Sequence, residues 1–197
     1  PRLDAFARAH PGIDLRISTN NNRVDLAGEA LDFAIRFGDG AWHGTHAEPL
    51  LAAPMTPLCP PAIAARLKTP ADLIPERLLR SYRADEWTRW FAAAGVPAPL
   101  LRGPMFDSSA LMAAAAAAGL GIALAPPAMF ARELASEVLT QPFKIGIDAG
   151  RYWLTRLMSR PESGAMSHFK GWLIDALAHE TTSNSPTPPS PLHSPAK

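Results

Sequence analysis

Residues 108–125, with the sequence SSALMAAAAAAGLGIALA, contain the signals for a helix, a turn and a buried strand in direct succession. Serine favours the N-cap of a helix, and the alanine run that follows has the highest helix propensity. Gly119 and Gly121 end that helix, and the apolar residues 120–125 are typical of a strand with both faces covered. A helix that leads into a buried strand is characteristic of α/β domains, so this stretch predicts an α/β fold.

The remainder of the chain alternates between the same two patterns. Strand patterns occupy residues 13–17, 32–37, 50–58, 77–82, 138–143 and 152–158, and helical patterns occupy residues 1–10, 25–31, 61–67, 84–94, 127–135 and 164–179. Pro54 and Pro57 lack the amide hydrogen that a central strand needs, so residues 50–58 should form an edge strand or a crossing segment. The alternation predicts an α/β architecture with parallel strand pairing.

The charges of the chain nearly balance. The 197 residues carry 19 basic and 18 acidic side chains, for a formal net charge of +1. Strong binding to nucleic acid draws on a broad positive field, so we do not expect these residues alone to bind DNA strongly. Cys59 is the single cysteine. It excludes an internal disulfide and a multi-cysteine metal site, and it fits a reducing compartment such as the cytoplasm.

Two segments have an unusual composition. Residues 110–131 contain no charged side chain and are long enough to span a bilayer as a helix. Two glycines and Pro126-Pro127 interrupt this run, so we expect the helix, turn and strand of a soluble domain and no membrane partner. Residues 181–197 are rich in proline, serine and threonine and almost free of large apolar groups. We predict that this tail is disordered.

Two places with polar side chains could bind a small ligand. Asp107, Ser108 and Ser109 stand at a predicted helix start, where amides and hydroxyls suit carboxylates. Asp107 or Ser108 could instead only cap that helix. Asp25 follows an asparagine-rich segment between a strand and a helix, at the edge of the sheet where α/β proteins bind ligands. It could cap its helix or contact a ligand.

Two aromatic residues on one predicted strand form a third candidate. Tyr152 and Trp153 are adjacent, so their side chains point to opposite faces of the strand, and one must face outward if the other is buried. Either ring could form the floor of a pocket or pack in the core. A buried tyrosine also needs a partner for its hydroxyl.

The sequence contains no recognisable catalytic or metal-binding set. Asp85-Glu86 are adjacent in the first turn of a helix and point in different directions, and we expect both to be solvated. His43 and His46 have no third ligand nearby, and Cys59 has no neighbouring histidine. We therefore predict no catalytic residue, no metal and no cofactor, and we do not expect an enzyme.

The order of several motifs resembles the effector-binding domain of LysR-type transcription regulators over roughly residues 1–180. These motifs are Leu3-Asp4-Ala5-Phe6, His10-Pro11-Gly12-Ile13-Asp14-Leu15 and Leu31-Asp32-Phe33-Ala34-Ile35-Arg36-Phe37-Gly38. Further stretches are similar to the AmpR-like subgroup, the regulators of β-lactamase expression: residues 21–25, 40–45, 79–82, 85–87, 106–109, 128–131 and 152–156. Each motif is weak alone, but their shared order and spacing make the resemblance specific.

The resemblance implies an α/β fold of two Rossmann-like subdomains joined by two crossover strands, as in type II periplasmic binding proteins. Subdomain I would comprise about residues 1–49 and 159–180, and subdomain II about residues 50–158, with an effector cleft between them. Residues 50–58 and 152–158 would be the crossovers. A first strand of this domain, a linker helix and a DNA-binding winged helix-turn-helix would precede these residues.

The resemblance also implies a function. Regulators of this subgroup respond to muramyl peptides from cell-wall recycling, bind promoter DNA through the N-terminal domain, and form homodimers or homotetramers in the cytoplasm. On matching positions, Ser108 and Ser109 would face the peptide and Tyr152 would contact it. Asp25 would lie in the region that sets the balance between a repressing and an activating state. Arg151 departs from the subgroup, which usually has a serine there.

Two other classes of protein share this kind of fold. A solute-binding protein of a transport system would differ from a regulator by a secretion signal upstream of these residues. An enzyme of the doubly wound class would need a nucleophile, a metal site or paired carboxylates, and the sequence supplies none of these.

Overall fold

The computed structural model describes residues 2–19, 25–83 and 85–183. The helices are α1 (Leu3–Ala9), α2 (Pro61–Ala64), α3 (Glu86–Ala93), α4 (Ser109–Ala117), α5 (Ala131–Ala135) and α6 (Gly164–Ser183), and 3-10 turns cover Pro70–Leu73 and Pro127–Phe130. The strands are β1 (Ala34–Gly38), β2 (Thr45–Ala52), β3 (Thr56–Leu58), β4 (Arg80–Ser81), β5 (Met105–Phe106), β6 (Ala123–Ala125) and β7 (Arg151–Leu157). These elements belong to two compact units, the described parts of residues 1–17 with 160–197, and of residues 18–159.

In the first unit, α1 packs against α6 through aromatic side chains. Phe6 is 1% exposed, and its ring centroid lies 5.6 Å from that of Phe169 and 5.0 Å from that of Trp172. Phe169 and Trp172 are three residues apart and therefore lie on the same face of the predicted helix 164–179. α6 continues to Ser183, past the predicted end at His179, because adding a residue to an existing helix is favourable. Residues 181–183 are therefore helical, whereas residues 184–197 of the predicted tail lie outside the described part.

The second unit contains a three-stranded antiparallel sheet in the order β1-β7-β2. Ala34 is opposite Thr155 in the register of β1 and β7, and the buried Thr155 hydroxyl donates a hydrogen bond to the Ala34 carbonyl at 3.0 Å. β2 is an edge strand of this sheet. Pro54 and Pro57, on which the prediction of an edge strand or crossing segment rested, lie after the end of β2. The predicted strand 50–58 is divided, because β2 ends at Ala52 and β3 begins at Thr56.

A second group of strands in the same unit has mixed directions. β3 pairs with β6 antiparallel and β4 pairs with β5 parallel. Single bridges join Leu78 to Ile122 in parallel and Cys59 to Thr140 antiparallel. The prediction of parallel pairing was therefore only partly right, since β3 and β7 have antiparallel neighbours. Of the predicted strand 138–143, only the bridge at Thr140 forms, and the two-residue β5 is too short to show a pattern in the sequence.

Two predicted elements near the N-terminus do not form. In residues 13–17 the burial alternates at Ile13 and Leu15, but none of the described residues pairs with them as a strand, and a strand requires a partner backbone. Residues 25–31 form a hydrogen-bonded turn rather than a helix. Ala30 has φ of 52°, which is incompatible with continued right-handed helix.

Helices α3 and α4 cover the strands of the second unit. Trp87, Trp90 and Phe91 of α3 form a buried aromatic cluster, and the Trp90 indole N–H donates to the Ile145 carbonyl at 2.9 Å. The small side chains of α4, such as Ala113, pack against β6 in a second buried cluster. Among the helices that the structure describes, none combines the length and the apolar character needed to cross a bilayer.

Candidate functional site

The start of α4 presents two serines with different roles. Ser108 is the N-cap, with an extended backbone, and its Oγ accepts a hydrogen bond from the Leu111 amide at 3.3 Å. Ser109 is the first helical residue and is half-buried. Its hydroxyl makes no hydrogen bond to any of the described residues. Ser108 therefore takes the capping role that the sequence assigned to either Asp107 or Ser108, and Ser109 keeps its hydroxyl available beside the positive end of the helix.

Tyr152 lies on β7 and is half-buried between the neighbouring strands. Its ring centroid is 5.1 Å from that of Phe37, at an interplanar angle of 65°. Its hydroxyl donates a hydrogen bond to the Met129 Sδ at 2.9 Å. Burial raises the pKa of Tyr152, and the nearby Arg83 charge partly opposes this shift. The phenol therefore stays protonated at neutral pH and can donate a hydrogen bond.

Trp153 points to the opposite face of β7 and is also half-buried. Its indole N–H donates to the Gly38 carbonyl at 3.0 Å, and its ring packs against Gly40, which has φ of +93°. A side chain at residue 40 would collide with this ring. Trp153 thus has a packing role, and Tyr152 is the member of the pair with a polar group near other polar side chains.

Asp25 is exposed and caps the turn that follows it. Its Oδ1 accepts hydrogen bonds from the amides of Ala27 at 3.1 Å and Gly28 at 2.9 Å. Capping, one of the two roles that the sequence allowed, is therefore present. Residues 20–24, the polar segment before it, lie outside the described residues. Within the described residues no hydrogen bond or ion pair joins Asp25, the two serines and Tyr152 to one another.

The observed environment of Glu86 differs from the predicted one. It is 4% exposed, although we expected it to be solvated with Asp85. The Ser81 hydroxyl donates to Glu86 Oε2 at 2.5 Å, whereas Oε1 has no hydrogen-bond partner among the described residues. Burial raises the pKa of Glu86. The sequence did contain a signal, because Glu86 precedes the buried Trp90 by four residues and so lies on the same helical face.

Arg83 lies close to both the Glu86 carboxylate and Phe37, the aromatic neighbour of Tyr152. Its Nη1 is 3.9 Å from Glu86 Oε1, and its guanidinium carbon lies 4.5 Å from the Phe37 ring centroid and 4.7 Å from that of Tyr82. The guanidinium makes no hydrogen bond to the described residues. No sequence pattern predicted this position, since Phe37 is distant in the chain.

The described residues contain no cluster of three or more side chains suited to hold a metal ion. His43 and His46 are exposed. Cys59 is buried, and burial raises the pKa of its thiol to about 11. Because the thiolate is the nucleophilic form, a thiol with this pKa is inert at neutral pH. The geometry thus offers polar binding groups: hydroxyls, one guanidinium and one buried carboxylate.

Comparison with known proteins identifies the family to which this α/β domain belongs. The chain belongs to the LysR substrate binding domain family, which matches residues 1–178. Over 182 residues it is 59% identical to the HTH-type transcriptional activator AmpR of Pseudomonas aeruginosa, a match that covers 91% of this chain and 62% of the relative. The chain thus spans about three fifths of the length of the curated relatives it matches.

Two solved structures are similar over nearly the whole domain. The effector domain of AmpR from Pseudomonas aeruginosa has a TM-score of 0.88 and 58% identity, over 93% of this chain and 90% of that chain. The AmpR effector binding domain from Citrobacter freundii has a TM-score of 0.86 and 51% identity, over 91% of this chain and 90% of that chain. These similarities confirm the predicted α/β fold of the periplasmic-binding-protein type and the predicted family.

Proposed function

We propose that this chain is the effector-sensing domain of a LysR-type transcription regulator that controls β-lactamase expression in response to muramyl peptides from cell-wall recycling. The similarity to two AmpR effector domains supports the class of regulator. Subdomain I (about residues 1–49 and 159–180) and subdomain II (about residues 50–158) would enclose the peptide. In the whole protein an upstream winged helix-turn-helix would bind promoter DNA, since the net charge of +1 gives this domain no broad positive field.

The observation that carries the proposal is that the Ser109 hydroxyl makes no hydrogen bond within the described part of the chain. The neighbouring Ser108 already caps α4, so Ser109 is not needed to satisfy the helix. A hydroxyl and free amides at the N-terminus of a nine-residue helix suit the carboxylate groups of a peptide. Tyr152 adds a protonated phenol that can exchange its Met129 contact for a ligand contact. Both roles match those of the resemblance.

A ligand changes the activity of such a regulator only through its different affinities for two states. Asp25 would act on this balance rather than on the peptide, since its carboxylate is engaged by the amides of its own turn. The regulator would work in the cytoplasm as a homodimer or homotetramer. It would bind its effector without chemical change, with no cofactor and no catalytic residue.

Calorimetric titration with a muramyl pentapeptide tests this proposal. We expect saturable binding by the chain and an affinity at least about tenfold lower for Ser109→Ala, because a hydrogen bond to a charged group contributes about 1.5–3 kcal/mol. Ser136→Ala is the matched control, since the exposed Ser136 hydroxyl bonds only to its own helix. A folded chain that does not bind the peptide, or equal binding by Ser109→Ala, would contradict the proposal.

A further inference from the structure

A surface hollow beside α3 contains groups that the proposed function does not use. Its volume is about 80 Å³. It is lined by Arg80, Ser81, Arg83, Glu86, Trp87, Leu101 and Met105. Neither Ser109 nor Tyr152, the two residues proposed to bind the muramyl peptide, is among them. The kind of ligand that fits the hollow therefore has to be inferred from the side chains that line it.

The buried carboxylate of Glu86 is the first part of that chemistry. Glu86 is 4% exposed and lines the hollow. Oε2 is satisfied by Ser81, but Oε1 has no hydrogen-bond donor among the described residues. A buried carboxylate oxygen without a donor is energetically unfavourable. A ligand with an N–H donor, above all an ammonium group, would satisfy it.

The arginines that line the hollow determine which second charged group the ligand needs. Arg80 is committed to the Gly103 carbonyl through its Nε at 3.2 Å and its Nη2 at 2.6 Å. The Arg83 guanidinium instead has no hydrogen bond to the described residues, and its Nη1 lies 3.9 Å from Glu86 Oε1. The rings of Phe37 and Tyr82 hold its guanidinium in place. Arg83 thus offers several N–H donors that match a carboxylate.

Neither a simple cation nor a simple anion satisfies both groups. A lone cation would be repelled by the two arginines, and a lone anion would be repelled by Glu86. A zwitterion whose ammonium and carboxylate groups are close together matches the short separation of Arg83 and Glu86. Trp87, Leu101 and Met105 supply an apolar wall for a small aliphatic side chain.

We propose that this hollow binds the head group of a small aliphatic amino acid, with its ammonium on Glu86 Oε1 and its carboxylate on Arg83. The site goes beyond the proposed function, since a free amino acid would be a second ligand of the chain. The ligand makes no covalent bond. Its recognition depends on one hydrogen-bonded charge at each end of the zwitterion.

The test is titration of the full chain with L-alanine, N-acetyl-L-alanine and L-alaninamide, followed by calorimetry and by NMR of the Trp87 indole N–H. This indole lines the hollow while it donates to the Leu79 carbonyl. We expect L-alanine to bind at least about tenfold more tightly than either derivative, because each derivative lacks one charged hydrogen-bonding partner. If N-acetyl-L-alanine bound as well as L-alanine, Glu86 would have no role. If L-alanine did not bind, the proposal would be overturned.

Substitutions of the two charged residues distinguish a role in ligand recognition from a role in folding. Glu86→Gln should weaken L-alanine binding at least about tenfold without weakening N-acetyl-L-alanine binding, because it also removes a charge that repels this anion. Arg83→Gln should likewise weaken L-alanine binding without weakening that of the cation L-alaninamide. A purely structural role would lower all affinities together. Asp85→Asn is the matched control, because Asp85 is the exposed neighbour of Glu86. Ser109→Ala should retain L-alanine binding, so failure of the muramyl-peptide proposal and failure of this one give different results.

Discussion

The two serines at the start of α4 should respond differently to replacement by alanine. Ser108→Ala should mainly lower stability, whereas Ser109→Ala should mainly lower the affinity for the muramyl peptide. Ser108 Oγ accepts the Leu111 amide at 3.3 Å, and Ser109 has no hydrogen bond to the described residues. Loss of an N-cap lowers the free energy of unfolding by about 0.5–2 kcal/mol, and the long distance in this protein favours about 1 kcal/mol. In a domain of this size, that corresponds to a decrease in Tm of about 2–4 °C.

Ser109→Ala should not lose stability. The substitution removes no hydrogen bond to the described residues, and alanine has a higher helix propensity than serine by about 0.5 kcal/mol. We therefore expect an unchanged or slightly higher Tm, together with the loss of muramyl-peptide affinity proposed above. Ser108→Ala should show the reverse relation, with the larger effect on Tm.

Circular dichroism during thermal and urea unfolding measures the stability of both variants, and calorimetry measures their affinity. Equal losses of stability in the two variants would show that Ser109 also supports the fold. That result would refute the assignment of separate capping and binding roles. Unchanged stability in Ser108→Ala would show that the cap contributes nothing measurable to α4.

Three further outcomes are expected. Tyr152→Phe keeps the ring but removes the hydrogen bond to Met129 Sδ; the free energy of unfolding in urea should fall by less than about 1.5 kcal/mol, while calorimetry should show weaker muramyl-peptide binding, and undiminished binding would exclude a role for the phenol. Because burial raises the pKa of Glu86, the folded state holds this proton more tightly than the unfolded state. Stability should then decrease as the pH rises from the usual carboxyl range through the raised pKa, and Glu86→Gln should lack this component of the urea-unfolding profile; identical pH profiles of the two proteins would contradict the reasoning. Gly121→Ala would make a Cβ collide with the Arg77 carbonyl oxygen at φ of +154°, so we expect a loss of at least about 2 kcal/mol in urea unfolding, and wild-type stability would show that the backbone can relax there.

Local sequence patterns predicted most helices and several strands of this protein. The cap at Ser108, the alanine helix and the glycine stop at Gly119 involve neighbouring residues, so the sequence displays them directly. The same holds for Asp25, whose carboxylate bonds to amides two and three residues later. The resemblance to LysR-type regulators added the fold, which residue patterns alone left as separate α/β pieces.

Pairing between strands was less predictable. The pattern of residues 13–17 marks a strand with one covered face, but a pattern does not supply the partner backbone on which a ladder depends. Antiparallel pairing of β3 with β6 likewise depends on how distant segments meet. The direction of a strand relative to its neighbour leaves little trace in its own residues.

The sequence by itself therefore determined the class of fold, the position of a helix cap at Asp107 or Ser108, and the polar candidates Ser108, Ser109, Asp25 and Tyr152. Only the tertiary structure decided that the Ser109 hydroxyl has no hydrogen bond to the described residues, that Arg83 lies on the Phe37 ring, and that Glu86 is buried. The physical reason is that capping and helix propensity act between neighbours in the chain. Burial and the satisfaction of a hydrogen bond depend instead on which distant segments pack around a side chain.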